Sequence, residues 1–141
     1  MGWIHYALIT ALALASADFF VKLAAGRLSN SLGLLLYGSC TFLTGIVWVA
    51  WQWARGVPQH AQTSGVLAAL GVGVAFSAVT LGLYATFSAG APISVGAPVI
   101  RLGGLVLASL AGLVLLGEPL TVRYVVGMFL VWCGVYLIVT R

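Results

Sequence analysis

The sequence predicts an all-α integral membrane protein built from five transmembrane helices. Of its 141 residues, 62% are hydrophobic and only 6% are charged, whereas a soluble domain carries about a quarter charged residues. The hydrophobic residues fall in long stretches, and a helix that crosses the hydrocarbon core needs about 20 of them in a row. This composition excludes soluble folds, nucleic-acid modules and secreted disulfide scaffolds.

Five stretches have the length of a membrane span. We predict a single domain over 1–141, with helices at 3–25, 32–54, 64–88, 92–116 and 122–140. The first stretch contains ALALASA, a plausible signal-peptide cleavage region, but no positive charge precedes it, and this favours a retained helix. The run 105–116 lacks the alternation of a β-barrel strand.

The positive charges are nearly balanced across the predicted membrane. The side that holds the N-terminus has Arg55 and Arg123, and the opposite side has Arg27 and Arg141, with Lys22 just inside the first helix. Such a balance leaves orientation open under the positive-inside rule. Either a small asymmetry or a partner fixes one orientation, or the chain inserts both ways and pairs as an antiparallel homodimer, an inverted repeat typical of transporters.

Small residues recur four apart on three of the helices, and this spacing places them on one face. We expect these faces to hold the helix bundle together. They comprise Ala7, Ala11 and Ala15 in the first helix, Gly65, Ala69, Gly73 and Ser77 in the third, and Gly104, Ala108 and Gly112 in the fourth.

Polar and aromatic residues form a second pattern within the apolar helices. Trp48, Trp51 and Trp53 lie near a helix end, where tryptophans form an interfacial belt. Four deeper residues could line a cavity for a small organic solute, because ligand sites combine apolar walls with few polar groups. They are Tyr37, Thr41, Tyr84 and Trp132.

Three charged residues and a proline are predicted to lie within the membrane. Asp18 and Lys22 are four residues apart and can pair along one helix face. Arg101 could pair with Asp18 or face a cavity as an anion binder, since intramembrane ions are functional by default. Pro98 removes a backbone hydrogen bond and should kink or unwind the fourth helix, a feature of transporter sites.

The remaining polar residues do not indicate catalysis. Glu118 follows the fourth helix and is expected to cap the fifth helix or to pair with Arg123. His5 and His60 have no acid at metal-ligand spacing, and no phosphate-binding loop is present. We therefore expect no enzyme activity, no catalytic residue, no metal and no cofactor.

Several segments carry a family likeness. These are DFFVKLA at 18–24, the run from Ser94 through Pro98 to LLGEPLT at 115–121, and YVVGMFLVWCGVYLI at 124–138. Together they resemble the EamA-type domain of the drug/metabolite transporter superfamily. The resemblance implies an EamA-like half-transporter unit, because members usually carry a pair of such units, inverted around a central substrate pathway. The related small multidrug resistance proteins work as antiparallel dimers with an acid in the first helix, where Asp18 falls.

These observations predict a secondary transporter in the inner membrane of the cell. We expect it to carry a small organic metabolite or drug-like solute by alternating access as an antiparallel dimer. Its partners would be the lipid bilayer, the solute and a second copy, with no nucleic acid. Two alternatives stay open: a non-transporting scaffold subunit of a larger membrane complex, and a lipid-headgroup flippase.

Overall fold

The computed structural model of the protein describes residues 2–140, which form an all-helical fold. The five helices of this range are α1 (Trp3–Ala24), α2 (Asn30–Ala54), α3 (Thr63–Ser88), α4 (Ile93–Leu115) and α5 (Val122–Val139). Each is long and apolar enough to cross a membrane. The all-α class and the number of candidate spans are therefore confirmed. Arg141, which entered the charge balance, lies outside the described residues.

Every loop contains a glycine in the left-handed region of backbone space. Gly26, Gly56, Gly90 and Gly117 have φ angles of 76°, 70°, 97° and 65°, and each stands two residues after the end of a helix. A helix commonly stops at such a residue, because glycine has no Cβ to clash in this conformation. The chain can therefore leave each helix sharply, which keeps the connections short.

The start of α5 corrects the expectation that Glu118 caps this helix, while its pairing with Arg123 stays a prediction. Thr121 caps this helix, and its side-chain oxygen accepts a hydrogen bond from the backbone N–H of Tyr124 at 3.3 Å. Threonine is a favoured residue at this position because it satisfies an otherwise unpaired N–H. Glu118 instead folds back on α4: a Cβ on Gly112 would lie 2.7 Å from the Glu118 Oε2 atom.

Two compact units divide the chain at residues 89 and 90. The three-helix unit holds α1 to α3, and within it α3 packs against both α1 and α2. The two-helix unit holds α4 and α5, which pack against each other. The central position of α3 makes it the element that organises the first unit.

Most large hydrophobic side chains face outward. On α1, for example, every large hydrophobic residue from Trp3 to Leu14 is at least 37% exposed. Such a surface is stable in lipid, whose acyl chains are as apolar as leucine, so helices gain little by hiding it. The exposure is therefore what a membrane-spanning chain requires.

The predicted small-residue faces are only partly matched by close contacts. A Cβ added to Gly65, Gly73 or Gly104 would meet nothing within 4 Å, and the alanines of the α1 face are exposed. Gly112, by contrast, is buried, and a Cβ there would lie 2.7 Å from the Glu118 Oε2 atom. A spacing of four residues shows which side chains share a face but not what that face meets, so the role of these faces in holding the bundle together stays a prediction.

Candidate functional site

A buried cluster lies where α1 and α3 meet in the three-helix unit. It consists of Asp18 from α1, together with Thr80, Leu83, Tyr84 and Phe87 from α3. The α3 members are spaced three or four residues apart, and this places them on a single helix face. Within residues 2–140, Asp18 is the one charged residue that is buried, at 5% exposure.

Lys22 and Phe87 fix the register between α1 and α3. The Lys22 Nζ atom lies 5.5 Å from the centroid of the Phe87 ring, within the distance at which a cation is attracted to an aromatic face. Both helices run in the same direction, because α2 returns between them. Asp18 is one turn before Lys22, so by this register it lies level with Leu83, one turn before Phe87.

Asp18 lies away from both ends of α1, which is a candidate membrane span. It is six residues before the end of the helix at Ala24, or about 9 Å along the axis at 1.5 Å per residue. A charged residue within a helix that crosses a membrane is costly and typically serves a function. Asp18 and Lys22 are thus two charged residues on one face of a candidate span.

Tyr84 joins the cluster to α2 through an unusually close approach. A Cβ built on Gly33 would lie only 2.6 Å from the Tyr84 Cζ atom. One turn away, the Ser88 hydroxyl donates to Asn30 Oδ1 at 3.4 Å. Any other residue type at position 33 would place a Cβ in the space that the Tyr84 ring occupies. Gly33 therefore lets the ring lie directly on the α2 backbone.

The other predicted lining residues are distributed over both units. Tyr37 lies one turn after Gly33 on α2 and is 40% exposed. Thr41 is also exposed, and its hydroxyl donates to the Tyr37 carbonyl at 3.0 Å. Of the four predicted residues, only Tyr84 belongs to the buried cluster. The role of Tyr37 and Thr41 in a substrate pathway stays a prediction.

Trp132 belongs to an apolar groove in the two-helix unit. The groove has a volume of about 360 Å³ and is lined by residues of α4 and α5, which are Val99, Leu102, Gly103, Val106, Leu107, Val131, Trp132 and Val135. Trp132 is 59% exposed. A surface of this kind offers an aromatic face and aliphatic walls but no charged group.

Arg101 and Pro98 lie on α4. Arg101 is partly buried and is not among the residues that line the groove. Its pairing with Asp18 stays a prediction. The helix runs without interruption from Ile93 to Leu115 with Pro98 inside it. The chain therefore does not unwind at the proline, although the missing N–H removes one helical hydrogen bond.

Several helical hydroxyl groups are bonded to their own helix. Ser39, Thr44, Ser77 and Thr80 each donate to the carbonyl four residues earlier, at 2.8 to 2.9 Å. A hydroxyl engaged in this way is satisfied without any partner from another element. Ser77 and Thr80 thus offer a site fewer free hydrogen-bonding groups than the sequence of α3 indicates.

Three residues of this site were not predicted from the sequence. Gly33 lies outside the small-residue pattern that we identified, and Leu83 and Phe87 are two of many apolar residues in α3. The signal for Phe87 was its spacing of three from Tyr84 and seven from Thr80, which places it on the same helix face as those two residues. No comparable signal marks Gly33 among the glycines of the chain.

Comparisons with known proteins place the chain in no family. No family model, no curated protein and no solved structure matches it. Within residues 2–140, no three histidine, cysteine or acidic side chains are grouped as a metal site would require. The fold and the site together define a multi-pass membrane protein with a buried carboxylate, and the resemblance to the EamA-type domain remains an expectation.

Proposed function

We propose that this protein is a secondary transporter of a small organic metabolite or drug-like solute. The observation that carries this proposal is the burial of Asp18 in a membrane-spanning helix, next to Lys22 and the aromatic residues of α3. Charged and aromatic groups enclosed within transmembrane helices mark substrate and ion pathways in membrane proteins. Asp18 and Lys22 would set charge preference or coupling, with Arg101 contributing from α4.

The cost of burying Asp18 supports a functional role. A carboxylate at the centre of a membrane helix costs about 2.5–3.5 kcal/mol on the lenient insertion scale, and this is an upper bound for Asp18, which lies six residues before the end of α1. The rest of α1 is apolar and suited to lipid. If the helix had only a structural role, an apolar residue at position 18 would therefore fit it at least as well as Asp18. A role in binding a solute or a proton accounts for keeping the acid there.

The working unit that we propose is an antiparallel homodimer of EamA-like half-transporter units in the inner membrane. A Cβ built on Gly65, Gly73 or Gly104 would meet nothing within 4 Å, so a second copy could approach these positions closely. The balance of Lys and Arg across the helix ends allows the two copies to insert in opposite orientations. Together they would form an inverted repeat around a shared pathway.

We expect each terminus of the chain to be found on both sides of the membrane. Fusions of the C-terminus to a reporter active only inside the cell, and to one active only outside, should both give signal. Adding one charge should then fix the orientation: Gln62→Lys and Ser31→Lys lie at opposite helix ends and should drive opposite topologies. A single orientation in the unmodified chain would contradict the antiparallel homodimer.

The proposal of transport is tested directly by uptake into proteoliposomes. We expect the purified chain to accumulate at least one solute from a radiolabelled panel of amino acids, sugars, nucleobases and quaternary ammonium dyes, while protein-free liposomes do not. Uptake of none of them, together with stable co-purification of a second membrane protein, would favour the scaffold alternative. Movement of labelled phospholipid between leaflets in place of solute uptake would favour a flippase.

A further inference from the structure

Trp48, Trp51 and Arg55 form a row of side-chain contacts at the C-terminal end of α2. The ring centroids of Trp48 and Trp51 are 5.2 Å apart, and the two rings are tilted by 51° relative to each other. The Arg55 Cζ atom lies 3.9 Å from the centroid of the Trp51 ring, as expected for a guanidinium that lies against an aromatic face. All three residues are exposed. We call them the tryptophan–arginine ladder.

The loop that follows holds the ladder in place. The Gln59 Nε2 group donates to the Gln52 Oε1 atom at 2.9 Å, and the Val57 N–H donates to the Gln52 carbonyl at 3.1 Å. These bonds fold the chain back onto the last turn of α2. Arg55 therefore lies in an ordered turn at the C-terminal end of α2.

The length of α2 is sufficient for its C-terminal end to reach the lipid headgroups. Its 25 residues correspond to about 37 Å at 1.5 Å per residue, longer than the hydrocarbon core of about 30 Å. The tryptophans lie near the C-terminal end of α2, and tryptophans are enriched at the level of the headgroups, so we place this end there. The groups that surround an exposed arginine there are headgroup phosphates.

We propose that the tryptophan–arginine ladder binds the phosphate of an anionic phospholipid. Stacking uses the face of the guanidinium and leaves its N–H groups, which lie in its plane, to form paired hydrogen bonds with phosphate oxygens. The positive charge of Arg55 is complementary to the negative charge of a lipid phosphate. No acidic residue of the following loop, 56–62, neutralises it, and the whole chain contains only two acidic residues. The Trp51 ring orders the arginine before the lipid arrives and so lowers the entropic cost of binding.

The experiment compares spin-labelled phosphatidylglycerol with spin-labelled phosphatidylcholine around the purified full-length protein in phosphatidylcholine bilayers. We expect the wild type to prefer the anionic lipid, and Arg55→Gln to lower its relative association about three- to tenfold. Trp51→Leu keeps the charge but should lose about half or more of the same preference, since the stacked guanidinium is no longer ordered. Arg27→Gln removes an exposed arginine from the α1–α2 loop and should leave the preference unchanged.

Three results would overturn the proposal. Equal losses of the preference for phosphatidylglycerol in Arg55→Gln and Arg27→Gln would show a general effect of surface charge. An unchanged preference for phosphatidylglycerol in Trp51→Leu would show that the ladder plays no part in binding. Release of the lipid by excess inorganic phosphate at constant ionic strength would show a free-anion site. Circular dichroism of each variant confirms that the helices are retained before its preference is compared.

Discussion

Uptake is expected to fall at least about 30-fold when Asp18 is replaced by asparagine, since removing one partner of a buried charged contact costs about 2–5 kcal/mol. Asparagine has nearly the same shape and keeps hydrogen-bonding capacity, but it can neither carry charge nor exchange a proton at this depth. The measurement is the initial rate of uptake into proteoliposomes of the solute that the wild-type protein carries. Asp18→Glu keeps the carboxylate and should retain part of the rate.

Thr80 offers a matched control for Asp18 in the same buried cluster. It is 7% exposed, and its hydroxyl donates to the Phe76 carbonyl of its own helix at 2.8 Å. Thr80→Val should therefore change uptake little. If Asp18→Asn transported at the wild-type rate, or if both variants lost uptake equally, the assignment of charge selection or coupling to Asp18 would be wrong. The double variant with Arg101→Gln extends the test to the second predicted charge.

The second large effect is expected from adding one methyl group at Gly33. The Cβ of Gly33→Ala would lie 2.6 and 2.7 Å from two atoms of the Tyr84 ring, well inside contact distance. Tyr84 is buried and cannot move freely, so α2 and α3 must separate. Overpacking of this kind costs about 1–3 kcal/mol. The measurement is the free energy of unfolding of the detergent-solubilised protein in a denaturing surfactant.

Gly38→Ala is the matched control on the same helix. A Cβ at Gly38 meets nothing within 4 Å, and alanine favours helix by about 1 kcal/mol over glycine, so this variant should be as stable as the wild type or more so. Shortening the opposing side chain by Tyr84→Leu should make Gly33→Ala less harmful, which gives a favourable coupling energy in the double-variant cycle. Equal stabilities for Gly33→Ala and Gly38→Ala would contradict the close approach.

The sequence was sufficient to predict the helices because each span depends on local composition. Runs of about 20 apolar residues bounded by glycine, proline or charge can be identified without any knowledge of neighbouring helices. Asp18 and Lys22 were identifiable for the same reason, since a charge inside an apolar stretch stands out wherever the helix lies. The buried cluster contains both Asp18 and Tyr84, two of the residues singled out from the sequence.

Packing was harder to predict, because it depends on which faces of different helices meet. The contact between Gly33 and Tyr84 joins residues far apart in the sequence, and nothing local distinguishes Gly33 from Gly38. The spacing of Gly65, Gly73 and Gly104 indicated contact faces, yet a Cβ on any of them would meet nothing within 4 Å. In lipid, hydrophobicity does not identify the buried face of a helix, so the usual signal for a core residue such as Phe87 is missing.

The division between α3 and α4 has a consequence for how the chain enters the membrane during synthesis. The two-helix unit begins and ends on the same side of the bilayer, and its turn leads into Arg123 at the start of α5. The three-helix unit emerges from the ribosome first, before that charge is made. Arg27 and Arg55 lie at opposite ends of α2, so their competition would set the initial direction of insertion, and Arg123 would then favour or oppose it.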